Sequence, residues 1–154
     1  MLPRDDQKIY NQLFWNDFRK FMGANRSTNG RKMNWLNYPS DVKDIYIRLQ
    51  TDSNSAKICF DIQSRDSGIR SLMWEQMSEL KKIMEIKMNC QGEWIEQLYN
   101  NEGKVISQIK WEKKGLNFYD ENQKLEIFEF FKEKLIAFDI FYQEFKEVII
   151  NLAH

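Results

Sequence analysis

The chain has 154 residues, 42% of them hydrophobic and 30% charged, which is typical of one globular domain spanning residues 1–154. Lysine plus arginine and aspartate plus glutamate number 23 each, so no overall attraction to nucleic acid or anionic membrane is expected. The one histidine is the terminal His154, which argues against Ser-His-Asp, Cys-His and histidine–zinc active sites held inside the fold.

Membrane and cofactor signals are weak along the whole sequence. No apolar run approaches the ~20 residues of a membrane span, and the N-terminus lacks the apolar region of a secretion signal. The two cysteines, Cys59 and Cys90, are far apart and have no metal-binding spacing. We therefore expect a cytoplasmic protein with no membrane association, no cofactor and no metal.

The first predicted element is a helix from about Asp5 to Met22. Its aromatic residues recur at spacings of four, four and three, which places them on one helical face: Tyr10, Phe14, Phe18 and Phe21. Residues 23–40 are rich in asparagine and contain two glycines and a proline, so this segment is predicted to be a loop or a loop with a short strand.

Two alternating strands and a capped helix are predicted between Val42 and Gln76. Inward positions of the strands are Ile45, Ile47 and Leu49, then Ile58, Phe60 and Ile62. Outward positions are Tyr46 and Arg48, then Cys59, Asp61 and Gln63. Asp66-Ser67 can cap the helix that follows, which ends near Asn89.

The same order recurs in the second half of the chain. Strands are predicted over Glu93–Tyr99 and Lys104–Glu112, and a long helix over about Gln123–Asn151. The order α-ββα-ββα predicts an α+β domain with a mainly antiparallel sheet of four to five strands and helices packed on one face.

The final helix carries two adjacent apolar stripes. One runs through Phe128, Phe131, Leu135, Phe138 and Tyr142, and the other through Ile127, Phe130 and Phe141. Two stripes indicate contacts on two sides. We expect the sheet and the first helix to supply them in a monomer, and a homodimer through this helix is the alternative.

The strand Asp61-Ile62-Gln63, preceded by Asp41 or Asp44, is similar to the acidic pattern of restriction-type nucleases. In those enzymes two carboxylates hold Mg²⁺ and a lysine activates water. Here Gln63 occupies the lysine position and cannot carry the charge. Outward-facing polar residues on an ordinary strand are therefore the favoured interpretation, and a nuclease-like site of Asp44, Asp61 and Gln63 is the alternative.

A basic segment between the first helix and the first strand is a candidate for nucleic-acid contact. No acidic residue falls between Phe18 and Ser40, and this stretch contains Arg26, Arg31 and Lys32, with Trp35 following. Cations for phosphates and rings for bases are the usual elements of such contacts. A solvated loop is the simpler interpretation, because the charges are few.

The outward row of the first hairpin is a candidate docking surface. Tyr46, Arg48, Asp61 and Gln63 would face solvent if helices cover only the other face. Arg48 and Asp61 are expected to pair across the strands as a modest salt bridge. Arg70, in the first helical turn after this hairpin, is a further binding candidate.

Several short motifs resemble a bacterial family catalogued as domain of unknown function 4268. They are Phe14-Trp15-x-x-Phe18, Asn34-Trp35-Leu36-Asn37-Tyr38, Lys43–Arg48, Asp66–Arg70 and Gly103–Ile109. Such domains occur alone or fused behind nuclease-like domains, which implies a role near DNA defence or processing. The family pattern has an arginine where this chain has Gln108, so any ligand contact of that arginine would be missing here.

Together these features predict a non-enzymatic binding or interaction module. Its expected partner is nucleic acid or another protein, including a nuclease-like one. The rival hypothesis is a degenerate or unusual metal-dependent nuclease that uses Asp44 and Asp61.

Overall fold

The structure, a computed structural model, describes residues 3–153 and has the predicted α+β architecture. Leu2, ahead of the first helix, and His154 lie outside the described residues. The elements are α1 (Arg4–Met22), β1 (Ile45–Thr51), β2 (Ser55–Ile62), α2 (Ser67–Glu79), α3 (Lys81–Met88), β3 (Glu93–Tyr99), β4 (Val105–Lys114), a 3-10 turn (Glu121–Gln123) and α4 (Lys124–Leu152).

The four strands form one antiparallel sheet in the order β1-β2-β4-β3. Each sequence hairpin supplies one half of the sheet, and the two halves join where β2 pairs with β4. This arrangement makes β2 and β4 central strands and leaves β1 and β3 at the edges. The pairing of β2 with β4 therefore decides which side chains of the two hairpins become neighbours.

The helix after the first hairpin is divided into α2 and α3, whereas the apolar pattern predicts one continuous helix. The break lies at Leu80, whose N–H donates to Met77 O at 3.0 Å in a tight turn. No glycine or proline occurs there, so the sequence carries no local signal for the break. The predicted cap is confirmed, because the Asp66 carboxylate accepts from the N–H groups of Gly68 and Ile69.

The core is built largely from aromatic rings on one face of the sheet. Near its beginning α4 packs against α1, with ring centroids of Phe14 and Phe128 5.1 Å apart. Further along, Phe138 lies 5.9 Å from Phe60 of β2. Most residues of both predicted stripes are buried within one chain, and α3 also packs on α4. The contacts expected from the first helix and the sheet are therefore present.

Within residues 3–153, no helix has both the length and the apolar character that a bilayer crossing requires. The longest helix, α4, is interrupted throughout by charged residues. Most of its large apolar side chains instead face the protein core.

Candidate functional site

Two surfaces contain most of the predicted site residues. The first is the outer face of the sheet, which we define as the side turned away from α2 and α4. Cross-strand pairing places Tyr46, Asp61 and Gln108 in one row of this face. The next row contains Arg48, Cys59 and Lys110. The face is therefore assembled from three strands and both hairpins.

Asp61 lies at the centre of the outer face and is only 3% exposed. Its Oδ1 accepts a hydrogen bond from Gln108 Nε2 at 2.9 Å, and its Oδ2 lies 3.5 Å from Arg48 Nε. The Gln63 side chain lies close enough to this carboxyl group to favour its charged form. Burial raises the pKa of Asp61 above its usual value, although the hydrogen bonds and the Arg48 charge oppose that rise.

The expectation that Asp61 faces open solvent is wrong, although Asp61, like Cys59, points to the outer face. Cys59 is almost fully buried, and burial raises the pKa of its thiol. Both lie on the central strand β2, where they have neighbours on each side. Long side chains from the flanking strands therefore shield them from water in the absence of a covering helix.

A concavity of about 380 Å³ opens above Asp61. It is lined by polar and charged side chains and by the turn that follows β3. The lysines around it already have acidic partners: Lys57 lies 3.8 Å from Glu112, and Lys110 lies 3.1 Å from Glu93. The hydrogen bond to Glu93 raises the pKa of Lys110. Lys57 and Lys110 are thus already paired with carboxylates of the same protein.

The predicted pairing of Arg48 with Asp61 is present, and Arg48 makes a second contact on its own strand. The guanidinium carbon lies 4.6 Å from the ring centroid of Tyr46, within the range of a cation–π interaction. Both side chains remain partly exposed, Arg48 by 45% and Tyr46 by 41%. They are the most exposed of the four outward residues Tyr46, Arg48, Asp61 and Gln63.

The two carboxylates of the nuclease-like alternative are not cross-strand partners. Asp44 is aligned with Gln63, whose N–H donates to Asp44 O at 2.7 Å, whereas Asp61 is aligned with Tyr46. Asp44 also has a left-handed backbone, with φ of 66°. No group of three or more His, Cys, Asp or Glu side chains suited to a metal occurs in the described part of the chain.

The second surface is a tight turn within the long loop, which we call the basic hairpin and define as residues 26–32. Arg26 and Lys32 form an antiparallel bridge, and Ser27 N–H donates to Arg31 O at 2.9 Å. At the tip, Gly30 has φ of 81°, a conformation that glycine adopts without strain. The three cations of the hairpin therefore lie close together on a closed loop.

The basic hairpin is fastened to α4 by Asp139, which is 1% exposed. The Asp139 carboxylate accepts from Ser27 Oγ at 2.9 Å, from the Thr28 N–H at 2.7 Å and from the Tyr38 hydroxyl at 2.7 Å. Gln143 Nε2 adds a longer bond at 3.4 Å. Burial and then the bond to Asp139 raise the pKa of Tyr38, so its hydroxyl remains a donor.

The cations of the basic hairpin differ from those of the sheet. Arg26, Arg31 and Lys32 are exposed, and none has an ion pair within the described residues. Trp35, predicted as a stacking ring, is instead buried, and its Nε1 donates to Asn25 O at 3.1 Å. The Trp35 ring therefore mainly stabilises the loop.

A cleft of about 430 Å³ lies between the end of α1 and the segment that follows the basic hairpin. Its buried lining comes from Phe18, Met22 and Trp35, and the exposed cations Arg19 and Lys32 stand at its rim. Apolar surface and positive charge are therefore adjacent.

Arg70 belongs to neither surface. Its Nη1 donates to Ser64 O at 2.9 Å, which ties the first turn of α2 to the segment after β2. One of its donor groups is thus already occupied, and the side chain is half-buried.

Two important residues were not among the site residues predicted from the sequence. Gln108 became a partner of Asp61 only through the pairing of β2 with β4. Asp139 had a visible signal, because it falls four residues after Leu135 and three before Tyr142 in an apolar stripe. An acid at a core position predicts buried donors around it.

Comparison with known proteins gives a family but no activity. No curated protein and no solved structure shows significant similarity to the chain. A family model described as a domain of unknown function, DUF4268, matches residues 10–146 of the 154-residue chain. The match includes all four strands, the basic hairpin and most of α4. The chain therefore belongs to the DUF4268 family.

Proposed function

We propose that this protein is a non-enzymatic binding module for single-stranded nucleic acid, which it contacts through the basic hairpin. The observation that carries the proposal is the combination of three exposed cations, which have no ion pair within residues 3–153, with a buried anchor at Asp139. A flexible loop would lose conformational entropy on binding, whereas an anchored one has already lost most of it.

Phosphate contact requires cations that are free to exchange their counterions. The lysines Lys57 and Lys110 of the outer face have carboxylate partners within 4 Å. Arg26, Arg31 and Lys32 have none in the described chain. The hairpin is therefore the better phosphate site even though the net charge of the protein is zero.

The neighbouring cleft favours a single strand over a duplex. Its volume of about 430 Å³ and the half-buried side chains of Met33 and Leu36 in its lining suit an unstacked base, while Arg19 and Lys32 flank it with charge. In a duplex the bases are stacked and paired, so this apolar surface would stay unused.

The test compares two triple variants in fluorescence anisotropy titrations with labelled single-stranded DNA and RNA at low salt. Arg26→Ala, Arg31→Ala and Lys32→Ala together are expected to weaken binding by about ten-fold or more and to reduce the salt slope by about 2. The matched control replaces Lys8, Lys82 and Lys114, which are exposed and lack ion pairs in residues 3–153.

Equal weakening by both triple variants would show that only total charge matters and would contradict the proposal. So would unchanged binding in the hairpin variant. The rival nuclease hypothesis is tested on the same substrates with Mg²⁺ or Mn²⁺. Cleavage that disappears in Asp61→Ala would replace the binding proposal with an enzymatic one.

We further propose that the protein acts as a monomer in the cytoplasm. Both cysteines are free, which suits a reducing compartment. The apolar stripes of α4 are largely covered within one chain, so a dimer is not required to bury them. Light scattering across a range of concentrations tests the monomer directly.

A further inference from the structure

The free edge of β1 is the feature that leads to a second binding site. We infer that it docks an extended segment of another protein, in which apolar and acidic residues alternate, as an additional antiparallel strand. This inference rests on the sheet edge and is independent of the basic hairpin.

Two backbone hydrogen bonds show which residues of β1 direct their N–H and C=O groups toward β2. Gln63 N–H donates to Asp44 O at 2.7 Å, and Asp52 N–H donates to Ser55 O at 3.1 Å. Bonded and non-bonded positions alternate along an antiparallel strand, so the even-numbered residues of β1 bond to β2. The odd-numbered residues direct their N–H and C=O groups away from the sheet.

The chain itself closes the beginning of this edge. Ser40 Oγ donates to Ile45 O at 2.7 Å, and Ile45 N–H donates to Val42 O at 3.3 Å. Within the described part of the chain, the outward N–H and C=O groups of Ile47 and Leu49 have no such partner. These groups form the pattern that another antiparallel strand would pair with.

The two edges of the sheet differ in regularity. At the opposite edge, β3 shifts register between Ile95 and Leu98, and an irregularity of this kind disfavours further pairing. In contrast, β1 pairs residue by residue with β2 from Ile45 to Thr51 and contains no proline. Of the two edges, β1 is therefore better suited to pair with an added strand.

A groove of about 850 Å³ runs along β1 and sets the side-chain preference on one face of the added strand. The half-buried side chains of Trp15, Leu36 and Leu49 contribute to its lining. Residues of the added strand opposite Ile47 and Leu49 would point toward this apolar surface. Apolar side chains are therefore expected at alternate positions of the ligand.

Charge sets the preference on the other face. Arg48 lies between Ile47 and Leu49 and points outward. Its Nε faces Asp61 at 3.5 Å, and because the side chain is 45% exposed, the rest of the guanidinium favours an acidic residue beside it. Lys43 and Asp44 lie at the closed end of the edge, and Asp41 contacts Lys146 at 3.5 Å. A second copy fits less well, because two-fold pairing about the middle of the open stretch sets Arg48 against Arg48.

The test measures amide hydrogen exchange of the full chain by NMR with short synthetic peptides that alternate valine and glutamate. In antiparallel pairing the valines face the groove and also donate their N–H groups to β1. A peptide N-methylated at its glutamates should slow exchange of the Ile47 and Leu49 amides about ten-fold at ten times its Kd. The same peptide N-methylated at its valines should have no effect.

A control peptide that alternates valine and lysine and is N-methylated at its lysines should bind more weakly than the valine–glutamate peptide. Its positive side chains would lie beside the positive charge of Arg48. Equal slowing by the two methylated valine–glutamate peptides, or slowing by neither at millimolar concentration, would overturn the inference. Slowing that grows with protein concentration in the absence of peptide would also overturn it, by identifying a second copy as the occupant.

Discussion

The outer face of the sheet and the basic hairpin both present clustered cations, but the two clusters differ in what the cations contact. On the sheet, Arg48 and Lys110 contact carboxylates of the same face. On the hairpin, Arg26 and Arg31 have no ion pair within residues 3–153, and the Asp139 carboxylate accepts from a backbone N–H and a hydroxyl group of the same loop. A count of positive residues does not distinguish these cases. The distinction depends on what each charge already contacts.

Asp61 and Asp139 show the same difference from the acidic side. Both carboxylates are buried, but Asp61 has a cation and two amides as neighbours, whereas the hydrogen-bond donors to Asp139 are neutral. Asp61 thus belongs to a charged network on a surface, and Asp139 to a structural junction. Four variants, from the largest expected effect to the smallest, test this contrast.

Asp139→Ala should have the largest effect on stability. It leaves Ser27 and Tyr38 hydroxyls and the Thr28 N–H without their acceptor, so we expect a loss of about 3 kcal/mol in the free energy of unfolding. Urea denaturation measures the loss, and faster exchange of the Thr28 amide would locate it at the hairpin. A change below about 0.5 kcal/mol would contradict the anchoring role.

Arg48→Ala should cost less, about 1 kcal/mol at neutral pH, because Arg48 is half-exposed and water screens its charge. Its loss removes the cation beside buried Asp61, so the pKa of Asp61 should rise further. NMR titration of the Asp61 carboxyl carbon follows that rise. A pKa of Asp61 that is unchanged in the variant would show that the ion pair contributes nothing.

Asp61→Asn should change how stability depends on pH. The pKa of Asp61 is raised in the folded protein, so its favourable contribution is full below the unfolded pKa and is lost as the pH rises through the folded pKa. The wild type should therefore lose stability relative to Asp61→Asn over that interval. Parallel urea titrations from acidic to neutral pH measure it, and a constant difference would contradict the raised pKa.

The triple replacement of Arg26, Arg31 and Lys32 by alanine should have the smallest effect on folding. These side chains are exposed and have no ion pair in the described chain, so we expect a change within about 0.5 kcal/mol in the free energy of unfolding. Thermal unfolding beside the binding titrations checks this. A larger loss would show that the cations support the fold and are not free for a ligand.

Much of the fold could be predicted because it depends on local patterns. Alternation at Ile45–Leu49 and at Ile58–Ile62 predicts the strands of the first hairpin, and the aromatic spacing of Phe14 and Phe18 predicts α1. The cap at Asp66 is likewise local, since its bonds reach only two and three residues along the chain. The break at Leu80 could not be predicted, because no residue there disfavours a helix.

The candidate sites could be predicted only in part. The sequence identified Arg48, Asp61 and the basic segment as residue types suited to contacts, and it placed Asp61 on the correct face of the sheet. It could not show that Asp61 is buried, because the shielding side chains come from three strands. It also could not expose the role of Trp35, which depends on a hydrogen bond across the loop.

The sequence by itself determined the elements of this protein and their order, since hydrogen bonding and side-chain periodicity within a helix or hairpin act over a few residues. Tertiary structure alone decided which charges are satisfied. Gln108 meets Asp61 across 47 residues, and Asp139 meets Ser27 across 112. Those contacts depend on how the two hairpins and α4 pack, because a charge is free or paired according to its neighbours in space.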